Sequence, residues 1–168
     1  MTREGYEALN ERMWKSPYSK DILSILSGGA SALIASLYIF TLLFLLLSRD
    51  FRIIILICPP LSGFLFVSVA RSGLNKKRPY EKFDIVPLIE KEKKGSSFPS
   101  RHVASAFLIG VSMIMISPVM ALIIIISGFI IAFCRVLSGV HFIADVVFAA
   151  SFGTAFSLVF VIIYFSTH

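Results

Sequence analysis

Charge is what this chain has little of: 15% of its 168 residues are Asp, Glu, Lys or Arg, against 57% hydrophobic. The scarcity is uneven. From Val103 to Cys134 no residue is charged, and after Asp145 none is charged before the terminal His168. Cysteine is scarce too, and Cys58 and Cys134 both fall in or beside apolar sequence. Two such thiols exclude a disulfide framework or a cysteine metal motif and read as packing residues. No small-residue cleavage site follows the first apolar block, which begins too late and runs too long for a signal peptide, so the N-terminus is expected to be retained. Nothing in the composition suggests a nucleic-acid partner.

Long apolar runs are what the chain does have. A spanning helix needs roughly 20 apolar residues, and four blocks qualify: Ile22 to Leu47, Ile53 to Ala70, Val103 to Cys134 and Phe142 to Phe165. The third carries Ser117-Pro118 near its middle and reads as two short helices joined by a tight turn. The expectation is a single integral-membrane domain over residues 1–168, all-α, a polytopic bundle of about five transmembrane helices. In front of it, residues 1–21 balance four basic against four acidic side chains. Tyr6, Leu9 and Met13 recur there at helical spacing, with Trp14 and Tyr18 suited to the headgroup zone, which suggests a short interfacial helix. Ser27-Gly28-Gly29 in the first span suggests close helix packing.

Five spans place the N-terminus, the 71–102 loop and the 135–141 turn on one face, and the 48–52 turn, the Ser117-Pro118 turn and the C-terminus on the other. Fourteen of the sixteen basic residues fall on the first face, Arg49 and Arg52 on the second. The positive-inside rule points the first face at the cytoplasm.

Ionisable residues inside apolar sequence mark functional sites. In the run 134–145, Cys-Arg-Val-Leu-Ser-Gly-Val-His-Phe-Ile-Ala-Asp, a helix starting near His141 would put His141 and Asp145 on one face. The carboxylate then fixes which imidazole nitrogen stays free to act as nucleophile or base. Arg135 offers a fork of donors suited to phosphate. The 71–102 loop holds nine of the sixteen basic residues. There Arg71 and Arg78 lie two helical turns apart, just before Pro79 ends the helix, and Lys77 neighbours them. The loop closes on Pro99-Ser100-Arg101-His102, where Ser100 reads as a helix N-cap and the helix start as an anion site for His102 to serve.

These residues resemble the type 2 phosphatidic acid phosphatase superfamily, membrane lipid phosphate phosphatases related to vanadium haloperoxidases. The family pattern is a Lys, six residues, Arg-Pro; then Pro-Ser-Gly-His; then Ser-Arg, five residues, His, three residues, Asp. This chain offers Arg71 with Arg78-Pro79, then Pro99-Ser100-Arg101-His102, then Cys134-Arg135 with His141 and Asp145. Arg71 stands for Lys, Arg101 for Gly and Cys134 for Ser. The resemblance implies that His141, oriented by Asp145, attacks phosphorus and forms a phosphohistidine, and that His102 protonates the leaving oxygen and then helps activate water. It implies that Arg71, Arg78, Arg135 and the Ser100 amide hold the phosphoryl oxygens, with Arg101 reaching towards a second phosphate, and that no metal or cofactor is used; Lys77, outside the matched pattern, is a further candidate contact. The expected partners are membrane lipids and a lipid phosphate substrate: phosphatidic acid, phosphatidylglycerol phosphate or an isoprenoid diphosphate. The expected location is the bacterial inner membrane. A transporter or channel for an anionic substrate is the competing class, because intramembrane Arg, His and Asp also mark ion pathways.

Overall fold

A computed structural model describes residues 3–84, 86–88 and 95–167. Within them the chain forms seven helices: α1 (Arg3–Trp14), α2 (Ser19–Leu47), α3 (Ile53–Leu74), α4 (Pro79–Phe83), α5 (Arg101–Met113), α6 (Pro118–Leu137) and α7 (Ile143–Thr167). The helices α2, α3, α6 and α7 are long and apolar enough to cross a membrane, and this is an integral membrane protein. The fifth expected span is α5. With 13 residues it is about 20 Å long, shorter than the hydrocarbon core. It is the central helix: Val103, Ala104, Ala106, Phe107, Leu108 and Val111 are all buried, enclosed chiefly by α3, α6 and α7.

Ser117-Pro118 does break the long apolar block in two. Ser117 adopts an extended conformation, its Oγ accepts the Met120 N–H, and Pro118 opens α6 without losing a helical donor. Pro59 and Pro60 do not end α3. Pro60 leaves the Leu56 carbonyl four residues back without its donor, and the Tyr38 hydroxyl of α2 supplies one at 2.9 Å.

Of Ser27-Gly28-Gly29, Ser27 is buried in the bundle, but the two glycines are not where backbones approach closely. Neither Gly28 nor Gly29 has a neighbour within 4 Å of where a side chain would begin, because both point away from the bundle. At Gly153 of α7 a Cβ would stand 2.9 Å from the Ala104 carbonyl oxygen of α5. The absence of that carbon brings the two backbones together, and Ser157 Oγ donates to the Leu108 carbonyl at 3.0 Å across the same seam.

Side-chain contacts fix which ends lie together. At one end, Trp14 Nε1 donates to the Val86 carbonyl, and the Ile143 N–H donates to the Tyr6 hydroxyl. At the other, Arg52 Nη1 donates to the Met115 carbonyl, joining the turn after α2 to the turn after α5. The expected two-face arrangement follows. One boundary and one placement differ. The helix α2 begins at Ser19, inside the expected tail, and α1 does more than lie flat: Tyr6 is 2% exposed, packed edge-on against Phe142.

Candidate active site

The third motif is a turn and a helix start. Gly139 takes a positive φ of 70°, and the Val140 and His141 N–H groups both donate to the Arg135 carbonyl at 3.2 Å, so Arg135 and His141 sit on either side of one tight reversal. The helix α7 begins only at Ile143, so His141 and Asp145 do not meet as neighbours on a helix face. Asp145 reaches back instead. Its Oδ2 accepts the Phe142 N–H at 3.0 Å, as the acidic residue of a capping box does, and in that position stands 3.4 Å from His141 Nδ1. The Ser97 hydroxyl donates to the same oxygen. Nδ1 therefore faces the carboxylate, and Nε2 is the nitrogen turned away from it.

Burial holds the His141 imidazole below its ordinary pKa of 6.5; Asp145 opposes that shift, while Arg71 and Arg78 add to it. The sign is set by burial: the ring stays neutral at pH values where a free imidazole is mostly protonated. If neutral His141 is the nucleophile, the acid limb of kcat/KM falls below pH 6.5. A limb above that value, measured with a substrate that does not titrate in the range, would contradict this assignment.

Arg71 and Arg78 converge by a different route from the one expected. The helix α3 ends at Asn75, in the left-handed region at φ 37°, so the two arginines share no helix. Asn75 Oδ1 accepts the Ser96 N–H, and the Lys76 carbonyl accepts the Ser97 N–H at 2.8 Å, which lays the 95–97 strip beside the end of α3. Pro79 keeps Arg78 extended, at ψ 164°. Its backbone N–H donates to Glu81, whose carboxylate also accepts the Gly95 N–H, and Arg78 Nε donates to the Gly95 carbonyl at 3.0 Å. Arg71 Nη1 donates to the Pro99 carbonyl at 2.9 Å.

Ser100 holds the N-cap position of α5 but makes no side-chain cap, and its amide donates to the Asp145 carbonyl at 3.3 Å. That bond corrects the expectation that the Ser100 amide faces a phosphoryl group; the N–H instead ties α5 to α7. Its buried hydroxyl is left without a partner.

The result is a cradle. Arg71, Arg78, Ser100, Arg135, His141 and Asp145 are all buried. Arg71 interacts electrostatically with Arg78, Arg101, Arg135 and Asp145, and Arg135 with Arg78. Arg78 Nη1, Arg135 Nε and Ser100 Oγ are buried with no hydrogen-bond partner. Unsatisfied buried donors on guanidinium groups are costly, and together they describe a place for an anion with several acceptor oxygens. Among the described residues no three His, Cys, Asp or Glu side chains are grouped to hold a metal.

His102 and Arg101 are exposed at the first turn of α5, where they form the polar mouth of a cleft of about 490 Å³. Its walls are largely apolar, from α2, α3, α5 and α6, including Tyr38, Phe64, Ile109 and Ile131. Lys77 is exposed and lines a different chamber. Sequence reasoning missed Ser97 and the clamp role of Glu81; the Gly95-Ser96-Ser97 run before the second motif was the one available signal.

The site and the fold together define a member of the PAP2 superfamily, whose sequence profile matches residues 66–167; the chain belongs to it. Among solved structures it is similar to Aquifex aeolicus LpxE, with 23% identity, a TM-score of 0.72, and 93% of this chain and 92% of that one covered. It is likewise similar to the first transmembrane PAP2-type phosphatidylglycerolphosphate phosphatase from Bacillus subtilis, with 18% identity, a TM-score of 0.70, and 93% and 82% covered. A comparison with curated proteins finds no match.

Proposed function

We propose that the chain is a lipid phosphate phosphatase of a bacterial inner membrane, hydrolysing a phosphomonoester or diphosphate through a phosphohistidine, with no step routed through a metal. The observation that carries the reading is the set of unpartnered buried donors of Arg78, Arg135 and Ser100 around a buried His141 backed by Asp145. Superfamily membership and the apolar cleft beside His102 support a lipid as the group that leaves.

In this reading the phosphoryl group lies among the guanidinium groups and His141 Nε2 attacks phosphorus. The P–O bond to the lipid breaks as the P–N bond forms, and His102 gives its proton to the departing oxygen. Water then attacks phosphorus, His102 takes back a proton, and His141 leaves with the electron pair of the P–N bond. Arginine charge in a water-poor site stabilises the charge spread over the equatorial oxygens in both steps.

The test is phosphate release from a panel of lipid phosphates by the purified, reconstituted chain; solute uptake without release would turn the reading into transport. Within that assay Arg71 has two duties, a charge beside the phosphate and a hydrogen bond to Pro99. Arg71→Lys keeps the charge and loses the fork, so substantial activity is expected to survive. Arg71→Ala loses both and is expected to cost about tenfold or more, the scale of one charge-assisted hydrogen bond. Unchanged turnover in the alanine variant would reduce Arg71 to a headgroup anchor.

A further inference from the structure

A second chamber opens on the same face as the arginine cradle, with a volume of about 720 Å³. Lys76, Lys77 and Lys82 line it, together with the rings of Phe98 and Phe142 and with Asp145. Neither histidine of the proposed reaction lines it, nor do Arg71, Arg78 and Arg135; Asp145 alone belongs to both compartments.

Two of the three lysines lie over aromatic rings. Lys76 Nζ stands 4.4 Å from the Phe98 ring centroid, and Lys82 Nζ stands 5.6 Å from that of Phe83 and 5.8 Å from that of Phe142. Ring faces at that range attract ammonium groups and fix stems that would otherwise move freely in water. Tyr6 closes the chamber from α1. Its ring packs against Phe83 and Phe142, and its hydroxyl accepts the Ile143 N–H at 3.2 Å. The helix α1 lies outside the residues that match the superfamily profile, so this wall is contributed by a part of the chain that the profile does not cover.

Three lysines and one carboxylate line the chamber, and that carboxylate already accepts from Ser97 and Phe142 and contacts His141. The chamber also borders the N-terminal turn of α7, the positive end of that helix. Excess positive charge in a half-open cavity calls for an anion, and lysines, as compact point charges, suit a phosphate on a flexible headgroup.

We propose that this chamber binds a phosphate group other than the one the cradle receives, carried by an anionic phospholipid headgroup or free in solution. The proposal rests on the reading above only in treating the cradle as the reaction site.

The probe is inorganic phosphate, titrated calorimetrically into the full chain in neutral detergent. Two sites per chain are expected. Lys76→Gln/Lys77→Gln/Lys82→Gln should weaken one by about tenfold or more and spare the other, while Arg135→Gln should do the reverse. These lysines are exposed, so the triple variant is expected to fold. Repeating the titration in phosphatidylcholine nanodiscs doped with phosphatidylglycerol separates the sources. Loss of the lysine-dependent site assigns it to a lipid headgroup, and its persistence assigns it to free phosphate. A single site that the triple variant leaves unchanged overturns the proposal. A single site that the triple variant removes keeps the chamber and tells against the cradle.

Discussion

Replacing His141 by alanine is expected to abolish phosphoenzyme formation with every substrate. Among the described residues, no other nucleophile shares its position: buried, and backed by a carboxylate that itself accepts from Ser97 and Phe142. Asp145 gains its orientation from the first turn of α7, so the alanine variant leaves the cap, the arginines and the fold in place. What it removes is one nitrogen. For an enzyme whose residues act as a unit, losing the nucleophile costs on the order of 10⁶ in kcat, with a residue of catalysis left by the electrostatic cradle. The measurement is a rapid-quench search for acid-labile, base-stable phosphate on the protein. A surviving burst in His141→Ala would overturn the phosphohistidine mechanism.

The legibility of this site in the sequence follows from contrast. His141, Asp145 and Arg135 stand out because the sequence around them is apolar, and a charge in such surroundings needs a reason. Arg71 and Arg78 were legible as candidates through spacing and through their places at the ends of apolar blocks; His102 was a candidate on the same ground and lines the apolar cleft. The five-helix arrangement, with the break at Ser117-Pro118, was legible from hydropathy and one proline.

Ser97 was not legible, because a serine in a polar loop has no contrast, and its partner Asp145 lies 48 positions away. Tyr6 was read as a surface residue because helical spacing shows which residues share a stripe and says nothing of what covers it. Phe83 and Phe142 cover it, from segments brought together only by the fold. The misreading at Gly28 and Gly29 has the same root: small residues permit close approach, but the bundle decides which side of α2 is approached. The Ser100 amide was assigned to phosphate because a helix start exposes donors. The long-range bond to the Asp145 carbonyl uses that donor, and no local pattern predicts it.

The two histidines are expected to separate by leaving group. His102 sits on the first turn of α5, at the mouth of the apolar cleft, where a lipid bound by its chain would present its ester oxygen. A lipid alcohol departs as a strongly basic alkoxide and needs a proton in the transition state, a contribution of roughly 10² to 10⁴-fold from general acid catalysis. A nitrophenolate needs almost none. In His102→Ala, phosphoenzyme formation should therefore slow by about that factor with a lipid phosphate and be largely spared with an aryl phosphate of low leaving-group pKa. Steady-state rates would hide the difference, since the same residue is assigned to the later attack of water and its loss slows hydrolysis of the phosphoenzyme for both substrates. Single-turnover bursts isolate the first step. The aryl substrate should then show a full burst followed by slow turnover, phosphoenzyme accumulating because it forms faster than it breaks down. Equal slowing of the burst with both substrates would remove His102 from the acid role and leave it binding phosphate beside Arg101.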